Sequence, residues 1–219
     1  MKHKAVIFDM DGLILDTEII EHRSFEKLLK EYGVAPIPHP NGLIHEIGGG
    51  GGYFERFKER YNLSHSVEDI RDTKRAYWAE IVKNEGVQAF PGFRELLQIF
   101  KKEGYTIALA SNRNEKPVRL VLDTLAVTTL FDFIVGGQYE ERRQKPFPDL
   151  YIHAAEELGL DPAECVVLED TEIGVIAAKD AGMKVIAVPN VYTEDHDFSR
   201  ADRKVKSLLD INLDLLDSL

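Results

Sequence analysis

The chain has 219 residues, 44% of them hydrophobic and 30% charged, a balance that suits a folded globular protein and excludes disordered, collagen-like and membrane-embedded classes. Acidic residues outnumber basic ones by 38 to 27, and the resulting net charge of -11 repels phosphate backbones, so no nucleic-acid partner is expected. The single cysteine, Cys165, cannot form an intrachain disulfide, and the apolar run after Met1-Lys2-His3-Lys4 is too short for a signal peptide or a spanning helix. A cytoplasmic monomer with no membrane partner is the expectation.

Taken in chain order, the first predicted element is a strand at Ala5 to Phe8. The next strand, Ile107 to Ala110, comes only after residues 9 to 106, 98 in all, where a single crossover helix needs far fewer. An insertion over 17 to 88 accounts for the difference. It carries an amphipathic stripe (Phe25, Leu28, Leu29, Tyr32), a Pro-rich turn from Pro36 to Gly42, five consecutive glycines (Gly48 to Gly52) and a further helical stretch from Tyr53 to Asn84. Hinges are expected at Asp16-Thr17 and between Gln88 and Gly92. After the insertion, helix and strand alternate. Phe93, Leu96, Leu97 and Phe100 lie on one helical face before the second strand, and Val118, Val121, Leu122 and Leu125 repeat the spacing after it. A third strand follows at Phe133 to Val135, then a helix with Tyr151, Ala154, Ala155 and Leu158 inward. The fourth strand, Val166 to Leu168, precedes a helix capped by Thr171 and ending at Gly182; the fifth is Val185 to Val188. This is an α/β chain with a parallel sheet covered by helices on its faces, split as 1 to 16 with 89 to 219 around a helical 17 to 88. The leucine-rich tail from Leu208 to Leu216 is expected to pack back on the core.

Ligands of open parallel sheets bind beyond the carboxyl ends of the strands, so the residues just after each apolar run are informative. There the sequence places Asp9 and Asp11, then Ser111 and Asn112, then Lys145 in the loop after the third strand, then Glu169 and Asp170. Each acidic residue alone reads as readily as a helix cap or a turn former. Together they put four carboxylates, a hydroxyl and a lysine on one edge. Carboxylates so crowded repel unless a cation neutralises them, and an oxygen-only donor set suits Mg²⁺ rather than zinc. Lys145 supplies positive charge for a substrate anion.

These residues carry a resemblance. The run from Ala5 to Thr17 resembles the first motif of the haloacid dehalogenase superfamily, in its phosphatase and phosphomutase branch. Ser111 is similar to the second motif, Lys145 to Tyr151 to the third, and Glu169 to Gly174 with Ala177-Ala178 and Ala181-Gly182-Met183 to the fourth. The resemblance implies a Rossmann-like core, with the insertion matching the family's small helical cap in position and length. It also implies an activity: hydrolysis of a small phosphorylated metabolite, most simply a sugar phosphate, through an aspartyl phosphate. Asp9 would be the nucleophile and Asp11 the general acid and base. Mg²⁺ would be held by Asp9, the Asp11 backbone carbonyl and Asp170, with Glu169 either a ligand or behind one. Ser111, with Asn112, would bind the phosphoryl oxygens and Lys145 would offset their charge. Asp11 argues against dehalogenation, because a halide needs no proton.

The alternative is a phosphomutase resembling β-phosphoglucomutase. Such mutases carry a cap-loop arginine, whereas this chain has Ile44-His45-Glu46-Ile47 and then glycines, with no arginine until Arg56; the phosphatase reading is therefore preferred. The glycine run is either an anion nest or a linker. His45-Glu46 lacks the second histidine of a zinc site. His22, beside the first hinge, either faces the substrate or is solvated on its helix, and His153 is expected to be structural. The charged stretches Arg71 to Arg75 and Glu140 to Arg143 are expected to be solvated.

Overall fold

The computed structural model describes residues 3–35, 52–137 and 143–219. Six strands form one sheet in the order β3-β2-β1-β4-β5-β6: β1 Ala5–Phe8, β2 Thr106–Ala110, β3 Phe133–Val135, β4 Cys165–Glu169, β5 Lys184–Ala187 and β6 Arg203–Lys204. Every pairing is parallel. The chain builds outward from β1 to β2 and β3, then returns to β1's other side with β4. This makes β1 the point where the strand order reverses, the position at which a doubly wound sheet opens a crevice.

The registers set which chain ends meet. Phe8 lies opposite both Leu109 and Leu168, so β1, β2 and β4 end nearly level, and Asp9, Ser111 and Asp170 emerge along a single edge. All four residues of β1 are fully buried, as expected of a strand covered on both faces. On one face Phe8 packs edge-on against Phe93 at 5.8 Å and Phe131 at 6.1 Å. Phe93 opens α4 (Phe93–Lys102), which covers this face near β2. On the other face Ala5, Ile7 and Val167 pack with Leu150, Tyr151 and Val175. Those residues come from α6 (Asp149–Leu158) and α7 (Glu172–Asp180), while α5 (Glu115–Thr124) follows β2.

Two compact units make up the chain, Met1–Asp16 with Val87–Leu219, and Thr17–Gly86. The second is helical: α1 Thr17–Glu31, α2 Tyr53–Arg60 and α3 Val67–Glu85, packed through Phe25, Leu28, Leu29, Phe57 and Ile70. The helical stretch read from Tyr53 to Asn84 is two helices. Asn62 takes a left-handed φ of 49° after α2, and Ser66 restarts the backbone by accepting a hydrogen bond from the Asp69 N–H at 3.0 Å in a reciprocal capping box. The glycine run up to residue 51 and His45 lie outside the described residues; Gly52 caps α2.

Three further expectations need correction. The solvated stretch from Arg71 to Arg75 contains Lys74, which is buried in an ion pair with Glu21. His22 is not solvated: it is 9% exposed, with Nε2 3.4 Å from Glu26. The edge strand β6 was missed because it consists of two exposed basic residues, without any apolar alternation to reveal it. The tail does pack back, with Leu208, Ile211 and Leu216 buried, although Leu209 stays exposed. It continues as a short helix α8 (Leu213–Asp217). Removing the cap hydroxyl with Ser66→Ala is expected to destabilise the helical unit by about 1 kcal/mol. Denaturant melts would show a lowered midpoint, and an unchanged one would remove the cap from the account.

Candidate active site

Asp9 follows β1 directly, and its N–H bonds the Leu168 carbonyl at 3.0 Å, continuing the ladder with β4 by one residue. Its carboxylate is therefore held rigidly where the strands end, 7% exposed. Lys145 reaches it from the loop before α6: Nζ donates to Asp9 Oδ1 at 2.5 Å, to Glu169 Oε1 at 2.7 Å and to the Ala110 carbonyl at 2.8 Å. These bonds use all three protons of the ammonium. Burial alone would lower the Lys145 pKa, but the Asp9 and Glu169 carboxylates outweigh it and hold the group charged, well above the usual lysine range.

Glu169 closes β4 rather than following it, and both its oxygens are engaged by protein. Oε1 accepts from Lys145 and from the Tyr151 hydroxyl at 2.8 Å; Oε2 accepts from the backbone N–H groups of Asp170 and Thr171 and from the Thr171 hydroxyl. The carboxylate lies so close to the start of α7 that a Cβ on Gly174 would sit 1.8 Å from Oε1, which is why that turn needs a glycine. Tyr151, read from the sequence only as a core residue, also lies under the Lys145 ammonium, with the ring centroid at 4.7 Å.

Asp170 is arranged differently. Its Oδ2 accepts from Asn190 Nδ2 at 2.9 Å, and the same amide donates to the Gly12 carbonyl at 2.9 Å. The amide's orientation is set by the Tyr192 N–H, which donates to Asn190 Oδ1 at 2.8 Å. Asp170 Oδ1 is buried without a hydrogen-bond partner. Asn190 was missed by sequence reasoning, though it stands just past β5 on the same edge, where a polar residue is a signal.

Oxygens of Asp9, Glu169 and Asp170 lie within 4.8 Å of one another. Three carboxylates against the Lys145 ammonium leave an excess equal to the charge of one divalent cation. Without a cation, burial pushes the Asp9 pKa up to about 8, with Glu169 and Asp11 adding to the rise and Lys145 opposing it. Burial, then Glu169 and Asp9, pushes Asp170 up to about 9. An unpartnered carboxylate oxygen, hard oxygen donors and uncompensated negative charge together fit a divalent metal.

Asp11 stands on the more open side. Arg113 donates to its Oδ1 from Nε at 2.9 Å and from Nη2 at 2.7 Å, and Ser111 Oγ donates to its Oδ2 at 3.2 Å. Arg113 went unread in the sequence, where an arginine after a strand resembles any solvated one; its spacing of two from Ser111 was the available signal. The sequence reading put Asn112 at the phosphoryl oxygens. In the structure its side chain is tied to the Lys145 backbone instead, accepting from the N–H at 2.8 Å and donating to the carbonyl at 3.2 Å. Its part is to hold the loop that delivers Lys145.

A family model of haloacid dehalogenase-like hydrolases matches residues 6–188, and the chain belongs to that family of enzymes. Among relatives it is 36% identical to YhcW of Bacillus subtilis, over 97% of this chain and 96% of that protein. It is 30% identical to the phosphorylated carbohydrates phosphatase of Thermotoga maritima, over 84% and 83%. Among solved structures, CbbY from Rhodobacter sphaeroides in complex with phosphate superposes with a TM-score of 0.85 at 27% identity, covering 98% and 99% of the two chains. Among the described residues no helix is long and apolar enough to cross a membrane.

The raised carboxylate pKa values have a consequence for stability. With their folded pKa values above the unfolded 3.8, Asp9 and Asp170 keep protons that the unfolded chain has already lost. Their contribution is complete below pH 4 and fades as pH rises through 8 to 9. In chelator the melting temperature is expected to fall from pH 6 to pH 9, and Asp170→Asn to flatten the slope. A wild-type melting temperature that is level or rising over this range would contradict the assignment.

Proposed function

We propose that this hydrolase is a Mg²⁺-dependent phosphatase that acts on a small phosphorylated metabolite, a sugar phosphate, through an aspartyl-phosphate intermediate. The observation that carries the reading is the buried group at the ends of β1 and β4, in which Lys145 bonds Asp9 and Asp170 keeps an unpartnered oxygen. The relative named for phosphorylated carbohydrates and the structural neighbour with bound phosphate support the substrate class.

Asp9 attacks phosphorus: an Asp9 oxygen–phosphorus bond forms as the ester bond breaks, and Asp11 gives its proton to the leaving oxygen. Water then attacks phosphorus while Asp11 takes a proton from it, the bond to Asp9 breaks, and inorganic phosphate leaves. Ser111 binds a phosphoryl oxygen, and Lys145, its three protons engaged by protein, offsets the charge that Asp9 and the phosphate share. Asp9, Asp170 and the Asp11 backbone carbonyl are the groups to hold Mg²⁺, which when bound neutralises the charge that the carboxylates and the phosphate bring together. Glu169, with both oxygens engaged, holds Lys145 rather than the metal. The choice of substrate is assigned to the helical unit, which is inserted in the chain where the family carries its cap.

At pH 7 with Mg²⁺, one or a few members of a panel of sugar and nucleoside monophosphates are expected to release free phosphate, with no release in chelator. Asp9→Asn should abolish turnover and Asp11→Asn should lower it roughly 10² to 10⁴-fold. Formation of glucose 6-phosphate from β-glucose 1-phosphate primed with the 1,6-bisphosphate, without free phosphate, would make the enzyme a mutase. Asn190→Ala, which frees the Asp170 carboxylate to turn, should weaken Mn²⁺ binding about tenfold or more. The spin resonance signal of free Mn²⁺ reads this directly, and an unaltered affinity would remove Asn190 from the metal site.

A further inference from the structure

The ion pair between Arg113 and Asp11 is a feature of the site that the reaction just described does not use. Arg113 sits in the turn after β2, where its own N–H donates to Ser111 Oγ at 3.0 Å and keeps the residue against the site. From there the guanidinium grips Asp11 with Nε and Nη2, the side chains being 21% and 29% exposed. With Nε also 3.2 Å from Oδ2, and Ser111 Oγ donating to that oxygen, donors from the protein face both oxygens of Asp11.

Donors on both oxygens compete with any proton that the carboxyl is to carry toward a leaving group. Arg113 does not resolve this by losing its charge, because a guanidinium stays protonated in proteins. The pair has to open, and a planar fork that fits a carboxylate fits another anion equally well. The transferred phosphoryl group does not fill that place, since it is bonded to Asp9 beside Lys145 and Ser111.

We infer, resting on the reading of Asp11 as acid and base, that Arg113 is a specificity-determining and positioning residue: it holds Asp11 until a second anionic group on the substrate takes the guanidinium and releases the carboxyl. The guanidinium is bonded to the very group that must reach the ester oxygen. The second anion, a carboxylate or a phosphate, therefore lies within a few bonds of that oxygen and not at the far end of a long substrate. The substrate class becomes a phosphorylated compound with a neighbouring acidic group, such as a sugar bisphosphate or a phosphorylated sugar acid.

The test compares three small esters of similar length with wild-type enzyme, Arg113→Ala and Arg113→Lys in Mg²⁺. They are 2-phosphoglycolate (neighbouring carboxylate), ethane-1,2-diol bisphosphate (neighbouring phosphate) and 2-hydroxyethyl phosphate (neutral). Wild type is expected to favour at least one anionic ester over the neutral one in kcat/KM. Arg113→Ala should cut that ratio about tenfold or more, mainly through KM, and Arg113→Lys should recover part of it. The arm that responds, carboxylate or phosphate, identifies the second anion. A ratio that is the same in wild type and Arg113→Ala for both arms overturns the inference, whatever happens to absolute rates. Should Arg113→Ala fail to fold, an unchanged ratio in Arg113→Lys overturns it and a lowered one supports it, because lysine keeps the charge but loses the fork. 4-Nitrophenyl phosphate, whose leaving group needs no proton, separates the two readings. Lack of Asp9-dependent turnover of that ester overturns the phosphatase reading and the inference with it. Turnover with unaltered ratios overturns only the inference.

Discussion

The ammonium of Lys145, buried between Asp9 and Glu169, is the contact on which the rest of the site depends. A buried charge costs several kcal/mol in lost hydration, which only close partners offset. Lys145 therefore has to arrive with its backbone already placed, and Asn112 does this by pairing with that backbone at both ends. Glu169 has to be held as well, and five donors from Lys145, Tyr151, Asp170 and Thr171 hold it. Three strand ends, the start of a helix and a loop far along the chain are thus joined through one ammonium.

The same arrangement explains why the edge is unfinished in the protein alone. Burial, together with the packing of Asp170 beside Asp9 and Glu169 against the single Lys145 charge, raises the pKa values of Asp9 and Asp170. A divalent cation among these carboxylates would complete the charge balance, in keeping with the metal proposed for the site. Asn190, itself bonded to the Gly12 carbonyl, fixes one oxygen of Asp170 and leaves the other buried without a partner.

Much of the fold was legible because fully buried parallel strands leave short apolar runs. Ala5 to Phe8 and Phe133 to Val135 match the observed strands, while β2, β4 and β5 begin one residue earlier than read and β4 extends one residue further, to Glu169. A charged residue at the end of a strand looks like loop, which is why Glu169 was read as lying past it. The break between α2 and α3 was less visible, because a left-handed Asn62 and a serine cap at Ser66 lie in a short segment between two stretches of good helix formers. Buried Lys74 escaped for a related reason: a lysine between arginines looks solvated until the partner that neutralises it, Glu21, is brought alongside.

What the sequence by itself determined was most of the chemically capable residues, Arg113 and Asn190 excepted, and the edge of the sheet that would hold them, because strand periodicity and the residue after each strand are local properties. It could not say which capable groups would be used up by one another. Asn112 bound to backbone, Glu169 saturated with donors, Asp11 gripped by Arg113 and Asp170 left with an open oxygen are all outcomes of residues separated by 20 to more than 100 positions, or of a backbone turning back on its own side chain. Only the tertiary structure decided these, because hydrogen-bond valence is spent in space, and distance along the chain carries no record of it.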